Sequence, residues 1–369
     1  MERRTFVKAL AATAVARAGT HAAPRQAAPP SVRFGVDMYS VNNQGWSPIQ
    51  MLDWAAKSGV KVVHFSEIRF IGGLDPDNLK RVRAHADALA LDLEIGMRSI
   101  CPTTQSGMFD AAQGTGEEQL AKMVEAARIV RSPIVRCVLG SAADRRSPGG
   151  IDARIDDMVK VLKNSRARVM DAGVKVSIEN HAGDMQAREL RRLVEAAGPE
   201  FVGVTIDSGN PVWTIEDPHL TLETLAPYVL TSHMRDSSVW ITPQGIASQW
   251  TRMGDGSMGM QDYIRTYVQK CPGRAVSLEV IVSASPRIFN YRDPAAWEPY
   301  RTTPASEFAR FLALAEKGMP PPARGPTSQP GGPAQAGGGR GGPNPAAVAR
   351  QLEDVEASIR WTKDFLATL

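Results

Sequence analysis

The stretch Val174–Met185, VKVSIENHAGDM, decides how the rest of the chain is read. Val174, Val176 and Ile178 lead in, as in a strand built for a protein core. The run then ends in Glu179, Asn180 and His181, with Gly183 close behind. Desolvating an acid, an amide and an imidazole costs free energy unless each is paired or bound. The end of this strand is therefore either a surface turn or the floor of a site.

Strand-like and helix-like segments alternate on both sides of it. VRFGVDMYS (32–40), VKVVHFSEI (60–68), LDLEIGMRS (91–99) and PIVRCVLG (133–140) come before as strands. FVGVTIDSGN (201–210), VLTSHMRDS (229–237) and AVSLEVIVS (275–283) follow. Helices are predicted between them. The first, SPIQMLDWAAKSG (47–59), has Ser47 to cap it, Pro48 at its first position and Gly59 past its end. Strands of this kind joined by helices argue for a parallel sheet covered on both faces. Eight units in about 250 residues argue for an α/β fold of one domain, a closed (β/α)8 TIM barrel. An open doubly wound sheet is the alternative, but no Gly-x-Gly-x-x-Gly follows the first strand.

The expected boundaries are a leader over 1–28, the barrel over 31–318, a Pro/Gly-rich segment over 319–345 and a C-terminal helix over 346–369. The composition of 319–345 predicts disorder. In the last segment Leu352, Val355, Ile359, Leu366 and Leu369 fall at helical spacing. A helix with one apolar stripe needs a surface to cover. Folding back onto the outer ring of the barrel is the expectation, and a contact in a homo-oligomer is the rival.

The chain has 369 residues and a formal charge of +4, and that charge has one address. Arg3, Arg4, Lys8, Arg17 and Arg25 against Glu2 account for all of it, so the body is net neutral and gives no electrostatic argument for nucleic acid. No apolar run is long enough to span a membrane. The opening MERRTFVKALAATAVARAG resembles a twin-arginine export signal, with Thr20-His21-Ala22 as its small-residue cleavage site. That implies an exported, periplasmic or extracellular protein that folds before export. Cys101, Cys137 and Cys271 are too few and too scattered for a disulfide framework.

The last four strands end in Glu179, Asp207, His233 and Glu279. In a barrel these ends share one rim, where barrel active sites are built. Three carboxylates so close repel one another, and a divalent cation removes the conflict. Three oxygen ligands and one imidazole favour Mn²⁺, with Mg²⁺, Co²⁺ or Zn²⁺ behind it.

This order of Glu, Asp, His and Glu on strands five to eight resembles the xylose isomerase-like barrel superfamily of sugar isomerases and epimerases. The likeness extends to IENHAGD, TIDSGNP and the Gly-Asp-Gly at 254–256. It implies that Glu179, Asp207, His233 and Glu279 hold one metal ion. It further implies that Glu179 and Glu279 move a proton next to a carbonyl through a metal-stabilised ene-diolate. The substrate would be a carbohydrate. His181, Asn180, Asn210, Arg235, Asp236 and Trp46 are its expected contacts. Some related ketose epimerases carry an arginine six residues past the metal histidine; here that position is Val239, with Arg235 and Asp236 nearer. The abasic-site endonucleases on this barrel place a histidine where this chain has Asn210. That departure and the neutral body weigh against DNA repair.

Other residues read less sharply. His64 points either into the barrel mouth or into the core, and Arg136, Arg98 and Asp37 serve as substrate clamps or ion-pair members. Three functions follow. The first is a metal-dependent isomerase or epimerase. The second is a lyase or dehydratase acting on a keto-sugar or 3-keto-glycoside. The third is a non-catalytic sugar-binding barrel, which would not need both flanking glutamates.

Overall fold

The computed structural model describes residues 32–323 and 344–369. The leader and most of the Pro/Gly-rich segment fall outside the described residues. Seven strands come in order: β1 (Phe34–Asp37), β2 (Val62–Phe65), β3 (Asp92–Ser99), β4 (Ile134–Val138), β5 (Lys175–Glu179), β6 (Val202–Asp207) and β7 (Val229–His233). Two antiparallel strands, β8 (Asp236–Thr242) and β9 (Gly245–Thr251), precede β10 (Val276–Leu278). The parallel sheet runs β10-β1-β2-β3-β4-β5-β6-β7. Met234, just past β7, pairs in parallel with Leu278. Its N–H donates to the Ser277 carbonyl at 2.7 Å, and its own carbonyl accepts from the Glu279 N–H at 3.0 Å. These bonds close the circle, giving the eight-stranded barrel that the alternation predicts.

Successive strand residues face opposite sides. One set, including Val63, Ile95, Val176, Ile178 and Val204, joins the continuous apolar core. The other set is polar: Ser177 bonds Thr205 at 2.7 Å, and Thr231 donates to Glu94 on the far side of the barrel at 2.7 Å. The barrel interior is therefore hydrogen-bonded and charged along its axis.

The outer layer comprises α1 (Pro48–Lys57), α2 (Pro76–Ala88), α3 (Gly116–Val130), a single turn α4 (Ala142–Arg145), α5 (Gly150–Asp171), α6 (Ala187–Ala197), α7 (Pro218–Leu225) and α8 (Met260–Lys270). Ser47 caps α1 in a reciprocal box with Gln50, an arrangement worth about 1 kcal/mol. The helix α9 (Ala305–Lys317) leaves the ring and packs on β8 and β9. The ring is completed instead by α10 (Pro345–Leu366). Arg265 of α8 lies over Phe365 at 4.9 Å, and Lys363 donates to the Ser58 carbonyl at 3.4 Å. Gln351 accepts from the Asn43 N–H at 3.0 Å, and Gln44 donates to the Val348 carbonyl at 2.8 Å. Val355, Ile359 and Phe365 are buried under it.

One feature departs from the sequence expectation. A strand over 229–237 was expected to lead directly to the helix at 260; it stops at His233, and β8 turns back through Pro243 and Gln244 into β9. With β11 (Arg287–Phe289) these form a small antiparallel sheet, ordered β11-β9-β8. Its apolar face, with Trp213, Trp250, Tyr300 and Phe311, forms a second core. The eighth barrel strand is also shorter than the stretch 275–283, because the chain leaves it after Leu278 to reach this sheet.

Between β6 and α7, Glu216 is buried and accepts the Ala187 N–H at the start of α6 with both oxygens, at 3.0 and 3.1 Å. Thr221 adds a hydroxyl bond at 2.6 Å. Burial pushes the carboxyl up from 4.5 to about 7, with the hydrogen bonds acting against it. Between those two pH values the folded protein holds a proton that the unfolded chain has released, so this group's contribution to stability falls as pH rises from 4.5 to about 7. Glu216→Gln removes the titration. Urea unfolding of wild type and variant should show the variant gaining relative stability across that window, by up to about 3 kcal/mol, and no further change above it.

Candidate active site

The rim is assembled by register. Val138 lies opposite Glu179, Glu179 opposite Thr205, and Asp207 opposite His233. Glu279 follows β10 and is tied to Met234 beside His233. All four residues are buried.

Three of the four converge. Nδ1 of His233 lies 2.8 Å from Oε2 of Glu179 and 3.5 Å from Oε2 of Glu279. It is enclosed, yet it has no partner at hydrogen-bond geometry. Asp207 stands beside this group, engaged elsewhere. Its Oδ1 accepts the N–H groups of Gly209 and Asn210, at 2.7 and 2.9 Å, and its Oδ2 meets Arg235 at 2.5 Å. The same guanidinium nitrogen of Arg235 contacts Oε2 of Glu279. Glu179 has its own guanidinium: Arg136 reaches Oε2 through Nε at 2.7 Å and Nη2 at 2.6 Å. Asn210 donates to Oε1 of Glu179 at 3.2 Å.

Burial opposes charge on Glu179, but Arg136 and His233 more than offset it and hold the carboxyl well below the usual range. Glu279 is likewise lowered: Arg235 and His233 overcome its burial. For Asp207 burial outweighs Arg235 and pushes the carboxyl up to about 7. His233 is held well above the ordinary imidazole value, because Glu179 and Glu279 outweigh its burial. His64 lies behind it, 2.7 Å from Nε2 of His233 through Nδ1, and is held well below by burial and by the cations His233 and Arg136. A hydrogen bond joins Nε2 of His233 to Nδ1 of His64, and Nδ1 of His233 faces the two glutamates.

This donor set fits a divalent cation. Glu179, His233 and Glu279 offer ligand atoms within 4.8 Å of one another, as do Asp37, His64 and the same His233. The barrel interior buries the carboxyls of Asp37, Glu94, Glu179, Asp207 and Glu279 against the guanidiniums of Arg136 and Arg235. Burial pushes Asp37 and Asp207 up to about 7, and a divalent cation beside them would favour their charged forms.

The remaining predicted residues take distinct places. Asn180 donates to the Asp207 carbonyl and accepts its N–H, both at 2.8 Å, so it clips β5 to β6 and orients Asp207. Nδ1 of His181 donates to the Gly140 carbonyl at 2.8 Å, which leaves Nε2 as an acceptor. Asp236 binds the N–H groups of Ser237, Gly254 and Gly256, at 2.8, 2.9 and 3.2 Å, and so pins the Gly-Asp-Gly loop. Trp46 packs against Trp54 on α1 with ring centres 5.8 Å apart. Asp37 binds Ser66 and the Tyr39 N–H. Arg136 resolves as an ion-pair member, while Arg98 is exposed.

Sequence reading passed over Trp213 and Trp250. Their rings stack at 4.1 Å and 7°, and Arg235 lies over Trp250 at 4.5 Å. The available signal was the Pro243-Gln244-Gly245 turn between two β-branched and aromatic runs.

A family model described as a xylose isomerase-like TIM barrel matches residues 52–300. The 3-oxo-isoapionate decarboxylase of Pectobacterium atrosepticum is 23% identical over 186 residues, which is 50% of this chain and 59% of that protein. The match thus spans under two thirds of that relative's length. D-psicose 3-epimerase of Clostridium cellulolyticum H10, solved with D-tagatose, superposes with a TM-score of 0.55 at 11% identity, covering 76% of this chain and 96% of that one. The 3-keto-D-glucoside 4-epimerase of E. coli gives 0.52 at 12% identity, covering 76% and 99%. At these identities the structural likeness is one of fold.

Arg136→Met would leave Glu179 buried with one cation fewer. In EDTA, urea unfolding should show a loss of about 3–5 kcal/mol, much of it regained in the double variant Arg136→Met/Glu179→Gln. An unchanged midpoint would show that His233 alone carries the charge of Glu179.

Proposed function

The chain belongs to the xylose isomerase-like TIM-barrel family, and on that premise we propose that it is a divalent-metal-dependent enzyme that moves a proton next to the carbonyl of a sugar or sugar derivative. The observation that carries this reading is the buried Nδ1 of His233, which lies 2.8 and 3.5 Å from the carboxylates of Glu179 and Glu279 without making a hydrogen bond of good geometry to either. These three residues would hold the ion, Mn²⁺ first among the candidates, with Asp207 beside them as a fourth. A divalent cation held there would supply Lewis acidity, making the hydroxyl-bearing carbon beside the carbonyl of a hydroxyketone more acidic.

The two glutamates are not equivalent. Both oxygens of Glu179 are engaged, by Arg136 and by Asn210. With both oxygens taken, Glu179 is poorly placed to accept a substrate proton. Glu279 meets Arg235 and His233 through Oε2 alone, which leaves Oε1 to take a substrate proton. The resemblance implied a pair of proton-moving groups; here the geometry favours Glu279 for the proton and Glu179 for binding. His181 presents Nε2 as an acceptor for a substrate hydroxyl.

This asymmetry supports two chemistries. Isomerisation needs one base working on one face of the substrate. So does the second reading, a lyase acting on a keto-sugar or 3-keto-glycoside, in which the abstracted proton is followed by loss of a leaving group. We read residues 1–28 as a twin-arginine leader, which places the enzyme outside the cytoplasm and makes unphosphorylated sugars its natural substrates.

Two experiments test these readings. Wild type loaded with Mn²⁺ and incubated in D₂O with ketoses and 3-keto-glycosides should incorporate deuterium next to the carbonyl, seen by NMR. Glu279→Gln should slow that exchange by roughly 10²–10⁴. Absence of exchange across the whole panel would remove the proton-transfer reading. Export of the full chain should stop when Arg3 and Arg4 are both replaced by Lys; continued export would remove the twin-arginine assignment.

A further inference from the structure

Arg235 occupies an unusual seat. It is 2% exposed and lies two residues past His233. A single nitrogen of its guanidinium meets both Oδ2 of Asp207 and Oε2 of Glu279. Its Nε is enclosed without a partner. The cation therefore holds two carboxylates while leaving part of its own hydrogen-bonding capacity unused.

The other side of the guanidinium is aromatic. Its carbon lies 4.5 Å from the centre of the Trp250 ring, within the range of cation–π attraction. Trp250 is held from behind by Trp213, stacked at 4.1 Å, and by a bond from Nε1 to the Gly209 carbonyl at 2.8 Å. Arg287 from β11 covers the far face of Trp213 at 4.1 Å. The result is a column, Arg287–Trp213–Trp250–Arg235, running from the antiparallel sheet to the acids of the rim. A guanidinium keeps the indole face as a neighbour even when it gives up a carboxylate.

We propose that Arg235 is a resident counter-cation that holds Asp207 and Glu279 in the metal-free protein and yields them to a divalent ion, with Trp250 as the surface on which it stays. This rests on the metal reading above and deepens it. Asp207 lies outside the converging set because Arg235 holds its free oxygen. Two positive charges competing for the same carboxylate oxygens make metal loading an exchange rather than an addition. Arg235 is thus a positioning residue for the metal site, and the small sheet that seats it takes part in loading.

The test is Mn²⁺ binding to the full chain, followed by electron paramagnetic resonance of the free ion and by tryptophan emission. Arg235→Gln removes the competitor and should bind Mn²⁺ roughly tenfold to a hundredfold more tightly than wild type. Arg235→Lys keeps the charge but cannot bridge two carboxylates while covering an indole. It should fall between the two, and it reports in place of the glutamine variant should that one fail to fold. Loading should shift tryptophan emission in wild type, as the cation moves against Trp250, and leave it unmoved in Arg235→Gln. Equal or weaker Mn²⁺ binding by the variants would overturn the proposal and leave the metal site standing, with Arg235 as an organiser of its ligands. No binding by wild type or either variant would overturn the metal reading itself.

Discussion

Buried like charge is the constraint on which the rest of this structure depends. Carboxyls from strands on every side of the barrel point into one narrow, water-poor space. In such a medium each unpaired charge is far more costly than at the surface. Every other polar choice near the rim answers that problem. Arg136 rises from β4 to meet Glu179, Arg235 crosses from the end of β7 to Asp207 and Glu279, and the His233–His64 pair sits beneath them.

The solution is layered. Below the rim, hydrogen bonds such as Ser177 to Thr205 and Thr231 to Glu94 hold the polar interior together. At the rim, guanidiniums and imidazole supply the compensation. Above it, Asn180, Asp236 and the Gly-Asp-Gly loop fix the strand ends by bonds to backbone groups. Such an arrangement keeps the acids at fixed spacing before any ligand arrives, which is the preorganisation that a metal or a substrate oxygen requires.

The barrel was legible in the sequence because its signal repeats, an apolar strand followed by a helix, along the length of the barrel. Glu179, Asp207, His233 and Glu279 were legible because each ends such a strand. The pairing within the rim was not. Whether Asp207 joins the cluster or meets Arg235 depends on side-chain direction across strands, which spacing along the chain does not encode. Asn180 and Asp236 looked like substrate contacts because they flank Glu179 and His233, yet their polar atoms bind backbone groups. The antiparallel sheet went unread because its strands interrupt the β/α rhythm just where a helix was due. Trp250, remote from any motif, acquires its place only when that sheet folds over the rim.

The return of α10 to the barrel bears on how the protein is made. The last 22-residue helix completes the ring and bonds to residues 43 and 44, more than 300 positions earlier in the chain. During synthesis the flank between α1 and α8 stays uncovered until α10 has emerged from the ribosome, long after the strands it borders. The connection that brings it there runs only from the end of α9 at Lys317 to Pro345, and the entropy of closing a loop grows only with the logarithm of its length. The Pro/Gly-rich stretch ahead of α10 can therefore change length in evolution at small thermodynamic cost, while the helix that follows it stays bound to its groove.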